Sequence, residues 1–133
     1  MKVVLDSSVL ISASISRAGV CADLFDDVLM HHELIVSDFI VEEVARKLRD
    51  KFNFPESDVA QLRRLLLRLA KSVMPEDLPK SDCRDSDGIP VLGTAVAAGA
   101  PVLVSVDKDL LALGEYRGAR IIRPGDFWRI ASG

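Results

Sequence analysis

Two apolar runs in this chain end on an acid. "KVVLD" carries Val3, Val4 and Leu5 into Asp6, and "PVLVSVD" carries Val104 and Val106 into Asp107, with Ser105 two residues before the acid. Both runs read as buried strands of a parallel sheet, and such sheets bind ligands beyond the carboxyl ends of their strands. The two carboxylates therefore belong on one edge. Glu43 lies six residues after Ser37, in the helix that follows another strand-like run, "ELIVS". At about 1.5 Å rise per residue it stays within roughly 10 Å of that strand's end. Asp85 and Asp87 precede a helix that runs back to the start of the "PVLVSV" strand, so the helix begins by the same edge. Converging carboxylates raise one another's proton affinity, and a divalent cation relieves the repulsion. Oxygen donors with no Cys or His in the pattern favour Mg²⁺ or Mn²⁺ over zinc. The expected chemistry is metal-assisted attack of water on a phosphodiester.

Each acid also has a plain structural use. Asp6 and Asp87 suit the N-cap of the helix that follows each, Glu43 suits an exposed helix face, and Asp107 suits a turn. These separate uses leave unexplained why all four meet at one sheet edge.

The elements that must position these groups follow from the pattern. After the opening strand, Ser8 to about Ile15 reads as a helix capped by Ser7 or Ser8. "VCADLFDDVLMH" places Leu24, Phe25, Val28 and Leu29 on one face of a second helix. Ser37 or Asp38 caps a third, with Ile40, Val44, Lys47 and Leu48 on one face and Pro55 beyond its end. "PESDVAQLRRLLLRLAKSV" predicts a long helix with Leu62, Leu65, Leu66 and Leu69 inward. The turn formers and acids of "PEDLPKSDCRDSDGIP" read as a loop, and "VLGTAVAAGA" as a helix of small residues ended by Gly99. "ARIIRP" is a fourth strand and "GDFWRI" a short closing helix. Strands alternating with helices imply parallel pairing through right-handed crossovers. The expected architecture is a three-layer α/β/α sandwich, one domain over residues 1–133.

Composition agrees with that size and class. Of 133 residues 49% are apolar and only 5% aromatic, so the core is expected to be Leu, Val, Ile and Ala. A formal charge of −3 argues against a surface that grips nucleic acid over its whole area. Basic residues do cluster locally, at Arg46, Lys47, Arg49 and Lys51 and at Arg63, Arg64, Arg68 and Lys71, where they read first as solvated helix faces. Cys21 and Cys83 stand far apart without ligand spacing and read as ordinary buried thiols. No run of about 18 apolar residues is present, and Asp6 falls where a signal peptide has its apolar centre. A cytoplasmic protein without a membrane segment is expected.

With these positions in hand, the chain resembles the PIN-domain ribonucleases, in particular the small prokaryotic toxin-like group. The likeness is carried by "VVLDSSVLISA", "IVSDFIVEEVARKL", "CRDSDGIPVLGTAVAAGAPVLVSVDKDLLAL" and "IIRPGDFW". It implies a parallel sheet of about five strands between helices, Mg²⁺- or Mn²⁺-dependent cleavage of single-stranded RNA, an antitoxin partner and a homodimer. By that resemblance Asp6, Glu43 and Asp107 are the catalytic acids and Ser105 is a supporting hydroxyl; Asp87, adjacent to the family's third acid position, is the candidate to complete the metal set. Asp85 is a further candidate. Two positions depart from the family's pattern: Ser8 stands where an Asn usually supports the first acid, and Gly88 stands where a third acid is usual.

Two functional readings result. One is a metal-dependent endoribonuclease, the toxin component of a toxin-antitoxin pair. The other, favoured by Gly88, is a catalytically impaired PIN fold that binds RNA or protein without cutting. A phosphate-binding Rossmann protein is disfavoured, since "DSSVLIS" lacks the glycines such a loop needs.

Overall fold

A computed structural model describes residues 1–131. β1 (Lys2–Leu5) forms its centre: Val3, Val4 and Leu5 are fully buried, as an apolar run covered on both faces must be. β1 pairs with β2 (Glu33–Val36) on one side and with β4 (Val102–Val104) on the other, both parallel. β3 (Lys71–Ser72) extends the sheet beyond β2, and β6 (Ala119–Ile122) extends it beyond β4. β5 (Glu115–Tyr116) adds an antiparallel edge strand, giving the order β3-β2-β1-β4-β6-β5. The sheet thus has six strands, five of them parallel.

Helices flank this sheet: α1 (Ser7–Ile15), α2 (Val20–His31), α3 (Asp38–Asp50), α4 (Glu56–Leu69), α5 (Gly88–Ala98), and two short ones, α6 (Lys108–Leu111) and α7 (Phe127–Ala131). The α/β sandwich is as the alternating pattern implies. The core is built chiefly from Val, Leu, Ile and Ala of β1, β2, β4, α3 and α5, closed at one end by Phe127.

Several local expectations are corrected. Neither Ser7 nor Ser8 caps α1; Asp6 does, accepting from the backbone N–H of Ser7 at 2.7 Å. β3 lies within "AKSV", read from sequence as a helix tail, because the chain leaves α4 at Leu69. β5 escaped notice because two residues carry no periodicity. It is joined to β6 through Arg117 and Gly118, both at positive φ, which is the type I′ turn that tight hairpins favour. On α4 only Val59 and Leu66 are buried; Leu65 and Leu69, expected inward, are 38% and 44% exposed. Cys83 is buried as expected, whereas Cys21 is only half-buried.

α5 approaches the preceding loop so closely that a side chain is excluded at Gly93. A Cβ there would stand 2.4 Å from the carbonyl oxygen of Glu76, whose own N–H donates to Gly93 at 3.0 Å. Ala would gain about 1 kcal/mol of helix propensity, but the obstacle is backbone and overpacking costs about 1–3 kcal/mol. Gly93→Ala is therefore expected to destabilise the protein by up to about 2 kcal/mol net, read as a lower urea midpoint.

Candidate active site

From β1 the chain turns to β2 on one side of the sheet, and β4 lies on the other. Such a switch in strand order opens a crevice at the strands' carboxyl ends. Asp6 follows β1 there. Its N–H continues the ladder to Val104 at 2.9 Å, so the carboxylate leaves the sheet at a fixed height. Ser105, Val106 and Asp107 leave β4 beside it. A cleft of about 200 Å³ at this edge is lined by Asp6, Ser8, Glu43, Asp85, Asp87 and Asp107, with Ser7, Lys47 and Gly88 among the other walls.

Asp6 is 6% exposed and both its oxygens are engaged. Oδ1 accepts from Ser7 N–H, and Oδ2 accepts from the Ser105 hydroxyl at 2.8 Å. Burial raises its pKa above the ordinary carboxylate value. The Ser105 and Ser7 hydrogen bonds and the Lys47 charge oppose that rise, and the Glu43 charge adds to it. Ser105 is fully buried and also accepts from the backbone N–H of Asp107 at 3.0 Å, so one hydroxyl ties the first acid to the segment carrying the last. Asp107 caps α6, its Oδ1 accepting from Asp109 N–H at 2.8 Å and Leu110 N–H at 3.1 Å. Its other oxygen has no part in the cap.

Glu43 comes from the second turn of α3, which begins where Ser37 caps the helix. Its carboxylate accepts from the Ser7 hydroxyl and pairs with Lys47, Nζ to Oε1 3.5 Å. Asp85 Oδ1 accepts from Asp87 N–H at 3.0 Å and so shapes the turn into α5. Asp87 occupies the N-cap position of α5 without a side-chain capping bond. Its exposed side chain lines both this cleft and a neighbouring concavity with Asp38, Glu42 and Arg46.

Gly88, the first residue of α5, is buried in the wall of the cleft. A Cβ there would stand 2.7 Å from Cys83 Sγ and 3.1 Å from Leu110 Cδ2. The space that a side chain at position 88 would start from is already filled.

This edge, with its acids delivered by β1, α3 and the end of β4, can be set beside known proteins. The sequence matches the PIN domain over residues 2–109. The chain belongs to the PIN-domain family. No curated protein matches it. Among solved structures it is similar to VapBC-1 of nontypeable Haemophilus influenzae, at 15% identity and a TM-score of 0.66, covering 94% of this chain and 99% of that one. VapBC2 of Rickettsia felis, solved on a DNA fragment from its promoter, matches at 10% identity and 0.64, covering 91% and 97%. PAE2754 of Pyrobaculum aerophilum matches at 19% identity and 0.63, covering 100% and 91%. At these identities the likeness is one of fold.

PIN-domain nucleases generally use divalent metal ions, and this PIN cleft suits one by its donor chemistry. Every polar side chain lining it except Lys47 offers oxygen. The Ser8 hydroxyl oxygen is shielded from solvent and meets no hydrogen-bond partner among the protein's groups. Among the described residues, however, no three of Asp, Glu, His or Cys are already drawn together as ligands of one ion. Their oxygens are held instead by Ser7, Ser105, Lys47 and backbone N–H groups.

Two residues of this network escaped the sequence reading. Ser7 joins Asp6 to Glu43, and Lys47 is the ion-pair partner of Glu43. A signal for Lys47 is present in its i,i+4 spacing from Glu43; none marks the Ser7 contact, which joins residues 36 positions apart. The remaining basic residues behave as solvated faces, with Arg63 on Glu42 at 2.8 Å and Arg49 on Glu56 at 3.3 Å.

A larger concavity of about 1220 Å³ lies elsewhere. Phe25, Phe54, Leu62, Leu65 and Leu67 supply its apolar lining, and Arg17, Arg64 and Arg68 are among its charged residues.

Proposed function

We propose that this PIN domain is a Mg²⁺- or Mn²⁺-dependent endoribonuclease that cuts single-stranded RNA, acting in the cytoplasm as the toxin of a toxin-antitoxin pair. The observation that supports it is the shared cleft of Asp6, Glu43 and Asp107 at the switch point of the sheet. Asp6, Glu43, Asp87 and Asp107 would hold the ion. When bound it would polarise a phosphodiester and lower the proton affinity of the attacking water. The chain's own part is positional. Ser105 holds Asp6 in register with the Asp107 segment, Ser7 links Asp6 to Glu43, and burial keeps bulk water from Asp6. Cleavage of an end-labelled single-stranded RNA is expected with Mg²⁺ or Mn²⁺ and is expected to vanish in EDTA. Undiminished cutting in EDTA overturns the reading.

The filled space above Gly88 favours a second reading, a PIN fold that binds RNA or a protein without cleaving. Saturable RNA binding without products, on varied RNAs and with either metal, is its signature.

The VapBC neighbours support an antitoxin as the partner protein. We assign it to the apolar concavity that α4 forms with α1 and α2, where Leu65 and Leu67 are 38% and 44% exposed. The homodimer expected from the family draws on the same α4 face. Sedimentation of the protein alone reads whether a second copy takes it.

A further inference from the structure

Lys47 stands one helical turn beyond Glu43, and its ammonium is turned into the acidic cleft. Nζ lies 3.5 Å from Glu43 Oε1 and 3.4 Å from Ser7 Oγ, while Ser7 itself donates to Glu43. The three groups close a triangle at the wall of the cleft. The Glu43 side chain is 10% exposed and that of Lys47 25%, unlike the surface pairs of Arg49 and Arg63, whose acids are more than half exposed. Among the described residues no other lysine or arginine lines this cleft, which five carboxylates share.

An ammonium in this place does what a metal ion would do for Glu43. It supplies positive charge, satisfies a carboxylate oxygen and fixes the rotamer. We propose that Lys47 is the built-in counter-cation of the cleft. It holds Glu43 and Ser7 while no divalent ion is bound, and an ion that takes Glu43 must displace it. The inference rests on the metal-dependent reading above and adds to it a competition between the ion and a side chain. Lys47 acts through Glu43, so it is a positioning residue.

The test is Mn²⁺ calorimetry on the whole chain, comparing the parent with Lys47→Met and Lys47→Arg. Removing the competing charge is expected to tighten Mn²⁺ binding about tenfold in Lys47→Met, while Lys47→Arg, which keeps the charge, binds like the parent. In EDTA, Lys47→Met is expected to melt below the parent, because Glu43 loses its counter-charge, and saturating Mn²⁺ is expected to close that gap. A packing role alone would leave the ion's affinity unmoved. Equal or weaker Mn²⁺ binding by Lys47→Met, with the parent binding normally, overturns this inference and leaves the nuclease reading intact. If parent and variants all take up no Mn²⁺, both are overturned.

Discussion

Asp6→Asn is expected to cut RNA about 100-fold more slowly than the parent or worse, and yet to melt no lower at pH 7. The fold tolerates the change because the amide oxygen keeps the Ser7 N–H bond. On the other side Ser105, with two lone pairs, accepts from Nδ2 and from Asp107 N–H together. Chemistry does not tolerate it, since a neutral amide gives up the negative charge that this position brings to the cleft. The stability sign follows from linkage. Burial raises the folded-state pKa of Asp6 above 3.8, so the folded chain holds this proton more tightly than the unfolded one does. The stability from that proton is fully present below the unfolded pKa and is lost as pH rises through the folded one. At pH 7 the ionised carboxylate is therefore a net burden that Asn removes, and near pH 3 the advantage disappears. Thermal melts in EDTA at the two pH values, beside a cleavage time course, check both halves. Parental cleavage by Asp6→Asn would reduce Asp6 to a helix cap.

Gly88→Asp, which places a further acid beside Asp87, is expected to cost about 1–3 kcal/mol by overpacking. An acid in the first turn of α5 would gain up to about 1 kcal/mol from the helix dipole. That gain is outweighed, because the Cβ arrives 2.7 Å from Cys83 Sγ, on a side chain too short and too buried to step aside. Position 88 and position 83 are thus coupled. Cys83→Ala removes the obstructing sulfur, so Cys83→Ala/Gly88→Asp is expected to recover part of the loss. With an added carboxylate at the cleft, the double variant is also expected to cleave RNA faster than Cys83→Ala alone. Urea midpoints of the four chains give the coupling as a double-mutant cycle. Additive losses would show that the two positions do not share this space.

How much of this was legible beforehand differs by residue. β1 announces itself because an apolar β-branched run stopping at an acid has few other meanings; β4 was legible as a strand but not in its extent, since it ends at Val104, three residues before Asp107, and Val106, expected within the buried run, is 46% exposed. Glu43 followed from helical rise, and Gly99 as the left-handed end of α5 followed from its lack of a side chain. The outward turn of Leu65 and Leu69 was not legible, because an amphipathic stripe tells which residues prefer burial and not how wide the neighbouring surface is. β3 and β5 were hidden by their length: pairing, not propensity, makes two residues a strand.

What the sequence by itself determined is local and periodic: where strands and helices run, that strands alternating with helices lie parallel, and hence which acids come to one edge. The tertiary structure alone decided who partners whom inside the cleft. Ser105 bonding Asp6, Ser7 bonding Glu43, and Cys83 filling the space beside Gly88 are contacts between residues distant in the chain or brought close by packing. The physical reason is range. Periodicity reports a residue's preference for burial within a few turns, whereas hydrogen-bond and steric partners are set by distances of a few ångströms that exist only once the layers have closed.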